Sequence, residues 1–338
     1  MKRYILLVLL FLVGVGVVSG IYFQSLHQDG SVFNLQQPVD FYSCNDSRYY
    51  SGHGVEALDT ASLNDYVAAV NAQGSSFCFN VADASQLGSL KLVWYSQAEA
   101  PRSIEVLGLV EGEDEASGEV LWAKEKPVTV KSLSGFFYSE INFDSPSRFS
   151  RFRVNYVSGA GQDRLLLRAA APFFKISVDE DVASLLSDIH RVSVIAPYGI
   201  GVAETDARDV DALVSGLKSA SSLHCGNYSY IFAHGIESEY DWTAVGALSN
   251  LKAAHTVVEV DYPAGKYTAD PTLGALYFCS YSSMQAGTCD FSKAIYTDTY
   301  NPILWRYKGA DFYPGATIQS TYSGIQDYFN AYRKLDGK

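Results

Sequence analysis

Two positive charges and then almost nothing polar open the chain: Lys2 and Arg3 precede an apolar run over residues 4–23. A helix needs roughly 20 such residues to cross a hydrocarbon core of about 30 Å, and the positive-inside rule keeps Lys2 and Arg3 in the cytoplasm. The pattern predicts a single membrane anchor over residues 1–23. Val18-Ser19-Gly20 offers small residues for cleavage, so the same run also reads as a removable signal. Both readings place the folded part outside the cytoplasm, periplasmic or extracellular, and secreted if the signal is cleaved. Residues 24–40 are polar with few apolar runs and read as a linker.

From residue 41 to 176 the polarity alternates in short segments. Residues 90–95, 103–110, 120–122 and 152–157 have the period-two pattern of half-buried strands. Turn sequences such as Glu111-Gly112-Glu113 and Ser158-Gly159-Ala160-Gly161 separate or follow them. Short strands at this density predict an antiparallel β-sandwich, jelly-roll-like in outline.

The period lengthens near residue 177. Val182, Leu185, Leu186 and Ile189 form one helical stripe, and Val210, Leu213, Val214 and Leu217 another, with Thr205 and Asp206 placed to cap it. Tyr228, Ile231 and Phe232 predict a third helix beginning at Cys225. A β-branched run starts at His255, and Tyr262-Pro263-Ala264-Gly265 turns it back into a second strand that ends at Asp270-Pro271. A helical stretch over residues 324–335 closes the chain. Residues 177–338 therefore read as a mixed domain, and the fold class is α+β: membrane helix, β-sandwich, then an α+β unit.

Composition sharpens this in two respects. With 48% hydrophobic and 18% charged residues the chain can bury a large core, and 24 Tyr, 18 Phe and 27 Gly favour sheet over helix. The net charge of −12 carries no basic block, which excludes nucleic acid as an expected partner.

Five cysteines in an oxidising compartment leave one unpaired. Cys44 and Cys78 lie in one half, and Cys279 and Cys289 lie close together in the other. Those are the natural pairs, although four cysteines allow three pairings. If they form, Cys225 is the free thiol.

A cysteine at a helix start meets the positive end of the helix dipole, which favours the thiolate, and a backbone N–H there can donate to an oxyanion. The hairpin brings His255 and Asp270, fifteen positions apart, beside each other. The aspartate can then hold one imidazole nitrogen while the other faces Cys225. Each residue alone has a plainer reading: a small buried hydrophobe, a structural hydrogen-bonder, a turn former before proline. Their joint order outweighs it. His224 and His234 flank the cysteine without the ligand spacing of a zinc site, and no metal or cofactor is expected. Asn45-Asp46-Ser47 and Asn227-Tyr228-Ser229 match the glycosylation sequon.

Cys225-Gly226 at a helix start, His255 with Val257 and Glu259 on the next strand, and Asp270-Pro271-Thr272 followed by Gly274 resemble, in that order, the transglutaminase-like superfamily. The resemblance covers residues 203–277. It implies a papain-type α+β fold with Cys225 as nucleophile, His255 as base and Asp270 orienting the histidine. The implied chemistry cleaves or transfers an amide through a thioester, with an envelope peptide or protein as the expected substrate and hydrolysis as the favoured outcome. Gly235-Ile236-Glu237-Ser238-Glu239-Tyr240 carries acids where family members often carry an arginine. Arg151-Phe152-Arg153-Val154 and Arg164-Leu165-Leu166-Leu167-Arg168 resemble the last strands of a galactose-binding-like (discoidin-type) jelly roll, which would imply docking on carbohydrate or protein. The competing expectation is a non-catalytic binding or scaffold subunit of a surface or polysaccharide assembly system.

Overall fold

The computed structural model describes residues 32–44, 49, 54–58, 66–69, 75–112, 117–133, 136–157, 165–199, 208–249, 253–299 and 309–335. The expected membrane segment at residues 4–23 lies outside them. Among the described residues, no helix is long and apolar enough to cross a membrane.

Among the described residues, eleven strands build the amino-terminal region: β1 (Val32–Leu35), β2 (Asp40–Ser43), β3 (Val67–Ala69), β4 (Ser76–Ser85), β5 (Leu87–Trp94), β6 (Ser103–Leu109), β7 (Glu119–Trp122), β8 (Lys131–Leu133), β9 (Phe136–Asn142), β10 (Phe149–Val157) and β11 (Leu165–Ser177). They form two antiparallel sheets, one in the order β1-β11-β5-β9-β8 with β3 also on β11, the other β2-β4-β10-β6-β7. Alternate residues of both sheets meet in a single core. Phe77, Phe79, Val106 and Phe152 from one face Leu90, Leu92, Trp94 and Phe174 from the other. This is a β-sandwich, and β5, β6, β7 and β10 fall on the four segments whose alternation marked them.

Two features escaped the alternation. Every residue of β5 is buried, because its outer face packs too: Val93 joins Ala169, Ala171 and Phe173 in a second small cluster. And Val32–Leu35, within the stretch read as linker, is an edge strand whose Leu35 is buried and pairs with Phe174. Four residues are too few for a period to register. A disulfide joins Cys44 to Cys78 within the second sheet.

In the carboxy-terminal region the described residues form three helices, α1 (Glu180–Ser193), α2 (Val210–Lys218) and α3 (Cys225–Ile236), ahead of an antiparallel sheet. That sheet comprises β12 (Asp241–Leu248), β13 (Ala254–Tyr262), β14 (Gly265–Asp270), β15 (Ala275–Tyr277), β16 (Ile295–Tyr296) and β17 (Thr317–Tyr322), ordered β16-β15-β14-β13-β12-β17. Three further helices are α4 (Tyr281–Gln285), α5 (Gly309–Phe312) and α6 (Ile325–Leu335). One face of the sheet, through Ala244, Val258 and Val260, packs on α1, α2, α3 and α6. The other, through Val245, Val257 and Tyr277, packs on α4 and α5.

The α2 stripe sits where its spacing placed it, but the cap is Asp209, whose carboxylate accepts from Ala212 N–H at 2.8 Å. Thr205 and Asp206 precede that cap and lie outside the described residues. A second disulfide, Cys279–Cys289, closes the segment around α4.

The two regions are stitched together. Gln36 N–H donates to Tyr296 O at 2.9 Å, and Leu35 bridges Thr297. Lys91, on the outer face of β5, pairs with Asp298 and also donates to Thr299 O at 3.1 Å. A buried ammonium and carboxylate are tolerated only when each has the other, since removing either leaves an uncompensated charge.

Candidate active site

Helix α3 is packed on nearly every side, and its first turn is unusually well tied. His224 is the N-cap: its Nδ1 accepts from Gly226 N–H at 3.1 Å, while Asn227 Oδ1 accepts from His224 N–H at 3.1 Å. From below, Tyr328 donates to Gly226 O at 3.2 Å, and the Tyr332 hydroxyl accepts from Asn227 Nδ2 at 3.2 Å. A side chain at residue 226 would lie 2.9 Å from the Tyr332 hydroxyl, so glycine is needed for this approach. Asn227 is therefore a buried cap residue, and its sequon has no exposed acceptor.

The next two N–H groups of the helix, those of Asn227 and Tyr228, donate to His224 O at 2.9 and 3.2 Å. The Cys225 N–H has no hydrogen-bond partner among the described residues and remains available to an oxyanion. The sulfur itself is partly exposed, is not in a disulfide, and makes a long contact of 3.9 Å to Ala254 O, at the start of β13.

The residue after Ala254 is His255. The hairpin register, Val258 with Ala269 through Tyr262 with Gly265, puts Asp270 diagonally across from His255 on the same face. His255 Nε2 lies 2.8 Å from Asp270 Oδ2. The carboxylate is fully buried and every lone-pair direction is used: Oδ2 also accepts from the Tyr313 hydroxyl at 2.5 Å, and Oδ1 from Thr272 N–H and Leu273 N–H, each at 3.1 Å. Gly274, at φ +64°, completes the turn that supplies those two N–H groups. The rings of Phe312 and Tyr313, at 5.8 and 6.2 Å, flank the imidazole and shield it from water.

Burial alone would push the Cys225 thiol up. The imidazoles of His224 and His255, acting as hydrogen-bonding and positive neighbours, reverse this and hold it at about 6. Burial would push His255 down, but the Asp270 carboxylate, with a smaller contribution from Cys225, holds it at about 10. The pair is thus poised as thiolate and imidazolium across the neutral range. Tyr198 lies in the same field. Its hydroxyl is pushed up first by burial and then by the charges of Cys225 and Asp270, and its backbone bridges Leu223, two residues before the cysteine.

The structure brings Cys225, His255 and Asp270 to one place. It does not bring His234 there: that ring pairs with Glu237 at 2.9 Å and Asp211 at 3.7 Å near the far end of α3. Among the described residues no group of metal-ligating side chains forms. Sequence reasoning missed Tyr313, Tyr328 and Tyr332. Tyr313 is 43 positions from the carboxylate it holds, and no local period announces such a contact. The closing helix carries the other two, Tyr328 and Tyr332, which bond the residues just after Cys225.

No family model matches the chain, and no curated protein matches it. Solved structures do match. One is CBM32-1 of a family 31 glycoside hydrolase from Clostridium perfringens, at 14% identity and TM-score 0.33, covering 41% of this chain and 96% of that one. Another is the family 32 CBM of C. perfringens NanJ in complex with galactose, at 13% identity and TM-score 0.29, covering 42% and 98%. A third is an F5/8 type C domain from Bacteroides fragilis, at 12% identity and TM-score 0.33, covering 43% and 98%. Likeness at this level carries no argument about ligand or activity, and the sandwich described above stands on its own sheets.

Proposed function

We propose that this chain is an exported, membrane-anchored cysteine acyl-transfer enzyme of the transglutaminase-like kind, acting on an amide of an envelope peptide or protein. One observation carries the reading: a free cysteine at a helix start, beside a histidine whose far nitrogen is 2.8 Å from a fully buried aspartate. A carboxylate with four donors and no solvent is costly to build for stability alone, and its geometry suits holding an imidazole.

The chemistry follows from these groups. The Cys225 thiolate attacks the amide carbon and forms a C–S bond, while the carbonyl oxygen takes the electron pair and is met by the Cys225 N–H. Imidazolium His255 gives its proton to the departing amine as the C–N bond breaks, leaving a thioester. His255, now neutral, takes a proton from water as the water attacks the thioester carbon; the C–S bond then breaks, which releases the acid and restores the thiolate and the imidazolium. An amine in place of water gives transfer. Asp270 holds the ring throughout, so the same nitrogen faces the sulfur in both halves.

A second reading is a non-catalytic binding or scaffold subunit, favoured by how much of the chain the sandwich takes. Carbohydrate or protein docking by that sandwich, in the manner of a galactose-binding-like jelly roll, belongs to this reading and is compatible with the first.

Mass spectrometry of the intact chain after incubation with activated peptide esters separates them. The enzymatic reading expects an acyl adduct on Cys225 that is lost on standing, and none in Cys225→Ala. A chain that stays unmodified between pH 6 and 10 overturns it. Because the thiolate forms as pH rises through about 6 and the imidazolium is lost as it rises through about 10, acylation is expected to climb through the first value and decline toward the second.

A further inference from the structure

The carboxylate of Asp270 is aimed by a turn, and the turn is itself held from outside the triad. Pro271 follows the aspartate, and Oδ1 accepts from Thr272 N–H and Leu273 N–H before Gly274 leads into β15. The Gly274 carbonyl then receives two bonds from one residue: Thr297 N–H at 2.7 Å and the Thr297 hydroxyl at 3.1 Å. The N–H bond only extends the β15–β16 ladder, in which Ala275 pairs with Tyr296. The hydroxyl is an addition to it. A carbonyl oxygen has two lone pairs, and filling both from one buried residue fixes the direction of the peptide that closes the turn. Thr297 is 2% exposed, and valine would fill the same space without a polar atom to satisfy. The fit is close: a side chain at Gly274 would lie 2.4 Å from Thr299 Cγ2 and 2.7 Å from Thr297 Oγ1.

Thr297 does not belong to the hairpin that carries His255 and Asp270. It lies in the seam, where the sandwich grips the stretch from Tyr296 to Thr299. Leu35 bridges Thr297, Asn34 O accepts from Asp298 N–H at 3.3 Å, and Lys91 holds both Asp298 and Thr299 O. From α1, His190 Nδ1 lies 3.0 Å from Asp298 O. Covalent and hydrogen bonds therefore run without a break from β1 and β5 of the sandwich, through Thr297 and the Gly274 turn, to the carboxylate. We propose that Thr297 is a positioning residue for Asp270, and that the sandwich, by fixing the segment Thr297 sits in, helps to set the triad. The effect on rate rests on the enzymatic reading above; the effect on the bond between Asp270 and His255 does not. A small misplacement of an orienting group slows the chemical step and leaves substrate binding intact, which separates it from a change in the binding surface.

Two small changes separate positioning from packing. Thr297→Ser keeps the hydroxyl and loses a methyl group; Thr297→Val keeps the volume and loses the hydroxyl. Each folded full-length chain is read in two ways. Nitrogen-edited NMR near neutral pH gives the solvent-exchange rate of the His255 Nε2 proton, which faces Asp270 Oδ2. Mass spectrometry gives the rate of Cys225 acylation by an activated peptide ester as a function of ester concentration. In Thr297→Val the proton is expected to exchange about fivefold faster, and acylation at saturating ester to fall about fivefold with an unchanged half-saturating concentration, whereas Thr297→Ser stays within about twofold of the native chain. Packing alone predicts the reverse order, because valine fills the site and serine leaves a void. Thr297→Val holding the proton as well as Thr297→Ser overturns the proposal, as does equal acylation of the two in a chain that acylates. Lys91→Met, studied below its melting temperature, tests the share of the sandwich: faster exchange of the same proton supports it, and a native exchange rate overturns it. A native chain that takes up no acyl group defeats the enzymatic reading instead, and the His255 proton still decides whether Thr297 orients Asp270.

Discussion

The two halves of this molecule are packed with different aromatics. The sandwich core is phenylalanine-rich: Phe77, Phe79, Phe143, Phe149, Phe152 and Phe174 meet between its sheets, with Phe79 and Phe152 stacked at 4.9 Å. Around the α3 helix and its sheet, tyrosine takes that place. Tyr228 donates to Ala196 O at 2.5 Å, Tyr328 to Gly226 O at 3.2 Å and Tyr313 to Asp270 at 2.5 Å. Both side chains bury a similar apolar ring, but tyrosine adds one donor that must be satisfied. The comparison teaches that packing was sufficient in one half, whereas in the other the rings also have to hold backbone and carboxylate groups in fixed positions.

The largest expected effect that tests this contrast is Phe152→Ala. Removing a fully buried ring between the sheets should cost about 3–5 kcal/mol, read by denaturant unfolding, yet leave Cys225 alkylation of the still-folded chain unchanged. An equal fall in alkylation would mean that the halves act as one unit. Lys91→Met comes next. It leaves Asp298 buried without its ammonium, at a cost of roughly 3 kcal/mol near neutral pH. Burial already raises the Asp298 carboxyl against the opposing charge of Lys91, so the native-to-variant gap should shrink as pH falls and that acid takes up a proton. A gap that widens in acid would contradict this assignment of charge.

The smallest effect on stability is expected for Tyr313→Phe, which removes one hydroxyl from Asp270 and keeps the ring. Stability should fall by about 1 kcal/mol, while acylation should slow roughly tenfold because the carboxylate loses a bond that orients it. This is the reverse of the Phe152 outcome. If stability and rate fell in proportion, Tyr313 would be a packing residue like its phenylalanine counterparts.

Much of this architecture was legible in residue order. Cys225, His255 and Asp270 could be found because two of the three sit at the ends of a hairpin whose turn, Pro263-Ala264, is local. Helices α1 and α2 showed in their stripes. What was hidden had physical reasons. β5 is covered on both faces and so does not alternate, β1 is too short to show a period, and a dense N-terminal cap built from histidine carries none of the usual capping signals. Tyr313 and Lys91 reach partners 43 and 207 positions away, where only the folded chain brings them together.

The seam between the halves has a practical consequence. Strand β1 is covalently the first described piece of the sandwich, yet Gln36, just past its end, bonds Tyr296, and the next two positions along, Thr297 and Asp298, meet Leu35, Asn34 and Lys91. A gene fragment beginning at residue 177 would therefore encode the carboxy-terminal half with a raw sheet border and an orphaned acid. Expressed alone it should be poorly soluble, and adding the sandwich fragment in trans should restore it only if residues 32–36 are included.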